Sequence, residues 1–113
     1  MVDNLKRNIK AKLKGDDAEE KIYVFQLFIV GSSNVSINAI KNFKSICETN
    51  LNNKYNLEII DINEQPQMAI TENIITLPLL IKRFPLPEEK MFGDFSNTQK
   101  VLEFLNITTQ YKK

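Results

Sequence analysis

The residues of this chain that could do chemistry are few and scattered. Among 113 residues there is no histidine and one cysteine, Cys47. The missing histidine removes the commonest general base, and with a lone thiol it also removes the common zinc ligand sets. One cysteine allows neither an intramolecular disulfide nor a CxxC redox pair. Serines gather in Gly31-Ser32-Ser33-Asn34-Val35-Ser36. With no partner placed to activate them as nucleophiles, they are expected to serve a turn and a helix cap. Cys47 sits in an apolar helical stripe, and free cysteine is among the most buried residue types, so a core role is expected. A thiol-dependent oxidoreductase or glutathione-binding protein would need that thiol exposed and acidic. Asp61, at the end of an apolar run, could be catalytic or bind a metal, but only Glu64 stands near it in sequence, and a helix-capping carboxylate is the expected role. Glu88 and Glu89 fall in a proline-rich turn.

Composition narrows the function further. Fifteen Lys and Arg stand against fourteen Asp and Glu, a net charge of +1, and aromatics do not interleave with a basic cluster. Nucleic-acid binding has no support there. Three glycines form no phosphate-binding loop. No apolar run approaches the roughly 20 residues that cross a bilayer, and MVDNLKRNIKAKLKG lacks the apolar region of a secretory signal. The expectation is a cytoplasmic protein without cofactor, metal, nucleic acid or membrane partner.

The elements that must position these residues follow from periodicity. Residues 1–21 form an N-terminal extension. Val2, Leu5, Ile9 and Leu13 recur at helical spacing among Lys6, Arg7, Lys10, Lys12 and Lys14, before an acidic patch of Asp16, Asp17, Glu19 and Glu20. Such a segment is a short basic helix or a frayed terminus. IYVFQLFIV from Ile22 predicts a central strand buried on both faces. Ser33, Asn34 or Ser36 can cap a helix whose apolar face is Ile37, Ile40, Phe43, Ile46, Cys47 and Leu51, ended by Asn52 and Asn53. Leu57 to Ile62 predicts a second strand, parallel to the first. Asn63 is expected to cap a short helix reaching about Glu72, with Pro66 in its first turn and Met68 and Ala69 inward. Leu79–Phe84 and Glu89–Phe92 predict an antiparallel hairpin. Ser96-Asn97-Thr98-Gln99 matches a capping box for a last helix with Val101, Leu102 and Leu105 inward.

The order βαβαββα, with a proline opening the third strand, predicts an α/β, thioredoxin-like domain over residues 22–108. Helices flank a mixed four-stranded sheet, and 109–113 form a tail. Where that fold carries its reactive cysteine pair, this chain has only the serine-rich turn. The element order favours a cis peptide bond at Pro78, well above the roughly 5–6% base rate for X–Pro bonds.

IYVFQLFIVG, IDINEQPQMA and ITLPLLIKRFPLPEEKMFGDFSN resemble the KaiB family of circadian-clock proteins. The matching positions are Gly31, Ile60-Asp61, Pro66-Gln67-Met68-Ala69, Pro78-Leu79-Leu80, Pro85, Pro87 and Gly93-Asp94-Phe95-Ser96, ungapped from Tyr23 to Ser96. The resemblance implies a non-enzymatic protein that binds a KaiC-like RecA-type ATPase in circadian or stress-response regulation. It also implies a capacity to exchange a tetrameric ground-state fold for the thioredoxin-like one, and possible dimers or tetramers. Implied partner contacts are Asn38, Glu58, Asn73, Ile74, Lys82, Lys90 and Asn106. Asn38, Glu58 and Asn73 stand where clock members are typically basic, which argues against recruitment of KaiA. Phe104 and Asn106 replace Gly and Asp, and the lost helix glycine predicts a firmer last helix. The alternative is a thioredoxin-fold sensor or adaptor domain of a signalling system with a different protein partner.

Overall fold

The computed structural model describes residues 22–107. The expected basic segment 1–21 and the tail 109–113 lie outside the described residues. Seven elements follow in the order β1 (Tyr23–Ile29), α1 (Asn34–Asn50), β2 (Tyr55–Asp61), α2 (Pro66–Thr71), β3 (Leu79–Phe84), β4 (Glu89–Phe92) and α3 (Thr98–Phe104). The sheet order is β2-β1-β3-β4, with β1 parallel to β2 and the other pairs antiparallel. This is the mixed sheet that the element order predicted, with β1 central and Phe25, Leu27, Phe28 and Ile29 buried.

Alternation along the strands divides the interior in two. Phe25, Leu27 and Leu80 point to one face, where Ala39, Phe43, Ile46 and Cys47 of α1 and Val101 and Leu102 of α3 pack against them. Phe43 meets Phe25 edge to face at 4.8 Å and Phe95 at 5.7 Å. On the other face Phe28, Ile60, Leu79 and Ile81 form a smaller cluster under Met68, Ile74 and Leu77. The six-residue α2 is the helix over that side and contributes no fully buried residue.

Helix boundaries depart from the sequence expectation in three places. In α1 the buried face runs through Ser36 and Ala39, while Ile37 is 43% exposed. The Ser33 cap sets this phase: its hydroxyl accepts the Ser36 N–H at 3.2 Å. Asn63 does not cap α2. Its N–H donates to the Asp61 carboxylate at 2.9 Å, and α2 starts after Gln65, which makes no side-chain cap bond. The Ser96 capping box does not form either. The Ser96 N–H is held by the Asp94 carboxylate at 3.0 Å, and Asn97 instead caps α3 by accepting the Lys100 N–H at 3.1 Å. Phe95 takes a positive φ of 60° to stay buried at this junction, which moves the helix entry one residue on. As the sequence predicted, Asn52 and Asn53 follow the end of α1; both adopt positive φ, which asparagine tolerates better than most residues.

Candidate partner-binding surface

The corner after β1 is built from short polar contacts. The buried Ser36 hydroxyl donates to the Val30 carbonyl at 3.3 Å and accepts the Val30 N–H at 3.2 Å. Asp61, at the end of β2, accepts the Gly31 N–H at 3.0 Å as well as that of Asn63. Its carboxylate therefore ties the two loops at the carboxyl ends of the parallel strands, rather than capping a helix. Gly31 has φ +58°, and a Cβ there would lie 3.3 Å from the Asn63 amide, so the turn needs glycine. Leu79 pairs with Phe28, which sets Pro78 level with Ile29 at the mouth of this turn. The Leu77–Pro78 bond is cis, as are Phe84–Pro85 and Leu86–Pro87.

None of this supplies a nucleophile. Cys47 is fully buried in the main cluster, and its thiol is pushed up to about 12 by burial and then by the Glu48 charge. A thiolate is thus disfavoured at neutral pH. Among the described residues, no group of three His, Cys, Asp or Glu could hold a metal ion. No helix among them is long and apolar enough to cross a membrane.

What the geometry does build is a polar strip on the half-covered face of the sheet. Arg83 donates to Gln26 at 2.8 Å and to Glu88 at 3.0 Å, and pairs with Glu72 at 2.9 Å. Gln26 in turn donates to Glu58 at 3.0 Å. Strand β1, the end of α2 and the hairpin turn thus converge on the Arg83 guanidinium of β3, and β2 joins the strip through Gln26. Burial works to lower the arginine's pKa, but the hydrogen bonds and charges of Glu72 and Glu88 together raise it above its ordinary value. Sequence reasoning missed Arg83, because its partners Gln26, Glu72 and Glu88 come from three separate segments.

The contact residues implied by the resemblance divide between the two sides. Glu58 lies in the polar strip, and Lys90 pairs with Ile81 and shares that face. Asn73, with φ 57°, is exposed directly after α2, and Ile74 is half-buried against the smaller cluster. Asn38 is exposed on α1 and Asn106 just after α3, both on the helical side. Lys82 requires a correction. Its side chain is 6% exposed and its ammonium donates to the Pro85 carbonyl at 2.9 Å, with Glu89 at 3.8 Å. Its parity points it to the packed face, so its ammonium holds the hairpin turn and is not offered to a partner. Exposed apolar side chains that periodicity did not single out are Ile70 (80%) and Ile75 (88%), on either side of Asn73.

A mixed sheet between helices, with a proline-bordered corner that lacks its thiols, defines a thioredoxin-like protein without the redox pair. The solved structures agree on the fold. The N-terminal domain of Synechococcus elongatus SasA superposes with a TM-score of 0.65 at 18% identity, covering 92% of this chain and 93% of that one. Chloroplastic thioredoxin z gives 0.64 at 16%, covering 94% and 95%. The KaiB domain pattern matches residues 26–107. The circadian clock protein KaiB3 of Synechocystis is 47% identical over 87 residues, 77% of this chain and 85% of that protein. The clock oscillator protein KaiB of Picosynechococcus is 38% identical over 88 residues, 78% and 85% respectively. The chain belongs to the KaiB family.

Proposed function

We propose that this chain is a non-enzymatic regulator of the circadian-clock type that acts by binding a KaiC-like RecA-type ATPase. One observation carries the reading: a KaiB-family chain whose redox corner holds serine hydroxyls engaged in local hydrogen bonds and whose thiol is buried. What remains to act is surface. The exposed group formed by Ile70 of α2 with Asn73 and Ile75 just after it is the contact region we favour, with Glu58 and Lys90 on the same side of the sheet. Neutral Asn38 and Asn73 and acidic Glu58 offer no positive field to an acidic partner surface, which supports action without KaiA.

The test is a titration of the purified chain against a purified KaiC-like ATPase from the same cell, read by interferometry. Saturable binding that weakens about tenfold or more with Ile75→Asp, the scale of a well-buried apolar anchor, is expected. Absence of binding, or tight binding instead to a sensor kinase, would reject the proposal.

A further inference from the structure

The described residues close only part of the half-covered face. Strand pairing puts Val24, Gln26 and Phe28 of β1 on that face, with Asn56, Glu58 and Ile60 of β2 beside them. Met68, Ile74 and Leu77 pack over Phe28 and Ile60, at the carboxyl end of β1. Toward the amino end of β1 the floor is open. Val24, Gln26, Asn56, Glu58 and Arg83 line a hollow of about 340 Å³ there. Apolar side chains at this end also reach solvent: Ile22 is 45% exposed, Phe84 44% and Leu86 73%. Phe84 pairs with Val24, and Ile22 leads directly into β1. The sealed face offers no such space, since Phe25 and Leu27 are fully buried beneath α1 and α3.

The chain carries a segment of matching chemistry, joined to this floor at Ile22. Val2, Leu5, Ile9 and Leu13 form one stripe at helical spacing, with Lys6 and Lys10 along one side of it and Lys12 along the other. A helix this short is marginal alone and draws its stability from packing its apolar stripe. As a helix, residues 2–14 rise about 20 Å, close to the length of about 23 Å for a strand the size of β1. Gly15 suits the end of such a helix. Residues 15–21 can span up to about 24 Å, enough to reverse the chain before β1 begins.

We infer that residues 2–14 of this chain dock as a helix on the open floor, antiparallel to β1. Leu13 then lies over Val24 and Phe84. Four helical residues rise about 6 Å and two strand residues about 6.6 Å, so Ile9 lies level with Gln26. Charge agrees with this occupant. Acidic groups border the hollow on both sides, Glu58 on β2 and Glu72 and Glu88 beyond Arg83. One guanidinium shared by two carboxylates leaves that second side with excess negative charge, and Lys90 stands farther out on β4. The lysines that border the apolar stripe on both sides meet these two acidic margins. The inference uses only the floor around Gln26 and does not depend on binding of an ATPase.

Thiols placed in the full chain test the docking, and the buried Cys47 serves as an internal control. A short thiol-to-thiol cross-linker should join Ile9→Cys to Asn56→Cys within one chain about tenfold or more faster than it joins Ala11→Cys to Asn56→Cys. Positions 9 and 11 share one tether but fall on opposite sides of the helix, so a segment that is merely nearby gives equal rates. Asn56 and Asn38 are both exposed among the described residues. Asn56→Cys alone should nevertheless react with a maleimide about tenfold or more slowly than Asn38→Cys, because the docked helix shields it. Adding Ile9→Asp should remove that protection while Cys47 stays unreactive, which shows that the domain remains folded. Equal cross-linking from positions 9 and 11, cross-links that join two chains, or Asn56→Cys reacting as fast as Asn38→Cys would each overturn the assignment. So would protection that survives Ile9→Asp.

Discussion

The two faces of the sheet are held by different physics. On one, α1 and α3 seal Phe25, Leu27 and Leu80 beneath Phe43, Phe95, Val101 and Leu105. On the other, α2 covers only Phe28, Ile60, Leu79 and Ile81, and the remaining sheet is laced by Gln26, Glu58 and Arg83 with Glu72 and Glu88. Apolar burial is non-directional and strong per side chain, whereas half-exposed ion pairs are weakened by solvent and salt. The sealed face should therefore carry most of the stability. The half-covered face is where exposed apolar and polar groups remain for another molecule, among them Ile70 of α2 and Ile75 shortly after it.

That contrast can be broken most directly at Phe43. Replacing it with alanine removes the ring that touches both Phe25 and Phe95, and should cost about 3–5 kcal/mol in denaturant unfolding. A loss no larger than that of a surface substitution would show that the sealed face is not the main source of stability. On the opposite side, Arg83→Met keeps most of the stem but releases Glu72, Glu88 and Gln26. The expected loss is about 1 kcal/mol, discounted because Glu88 is about half exposed, and it should shrink further in high salt. A loss equal to that of Phe43→Ala would erase the distinction between the faces. The smallest effect sharpens the account of α3. Asn97→Ala should cost up to about 1 kcal/mol in thermal unfolding, the usual scale for an N-cap. Ser96→Ala should cost less, since the Ser96 hydroxyl and N–H both engage the exposed Asp94 carboxylate and neither caps α3. The reverse ranking would reinstate the capping box.

Much of the architecture was legible in advance. The bounds of β3 and β4 follow from Pro78, Pro85 and Pro87, which punctuate the chain whatever surrounds them. The inward face of α3 follows from the spacing of Val101, Leu102 and Leu105. The caps were less legible, because Ser96 and Asn97 are both competent and the choice depends on how Phe95 reaches the core. Lys82 illustrates the same limit: a lysine in a strand reads as a surface cation until the hairpin turn is seen to place a carbonyl at its ammonium.

Local chemistry alone settled the absence of a redox pair and the run of strands and helices, because backbone preference and apolar periodicity act over a few neighbouring residues. It also exposed the lack of any base to activate the serines. Only the tertiary structure decided that Asp61 joins two loops, that Arg83 gathers Gln26, Glu72 and Glu88 from three segments, and that β2 is an edge strand among the described residues. Those outcomes depend on contacts between residues distant in sequence, which come together only when the sheet closes.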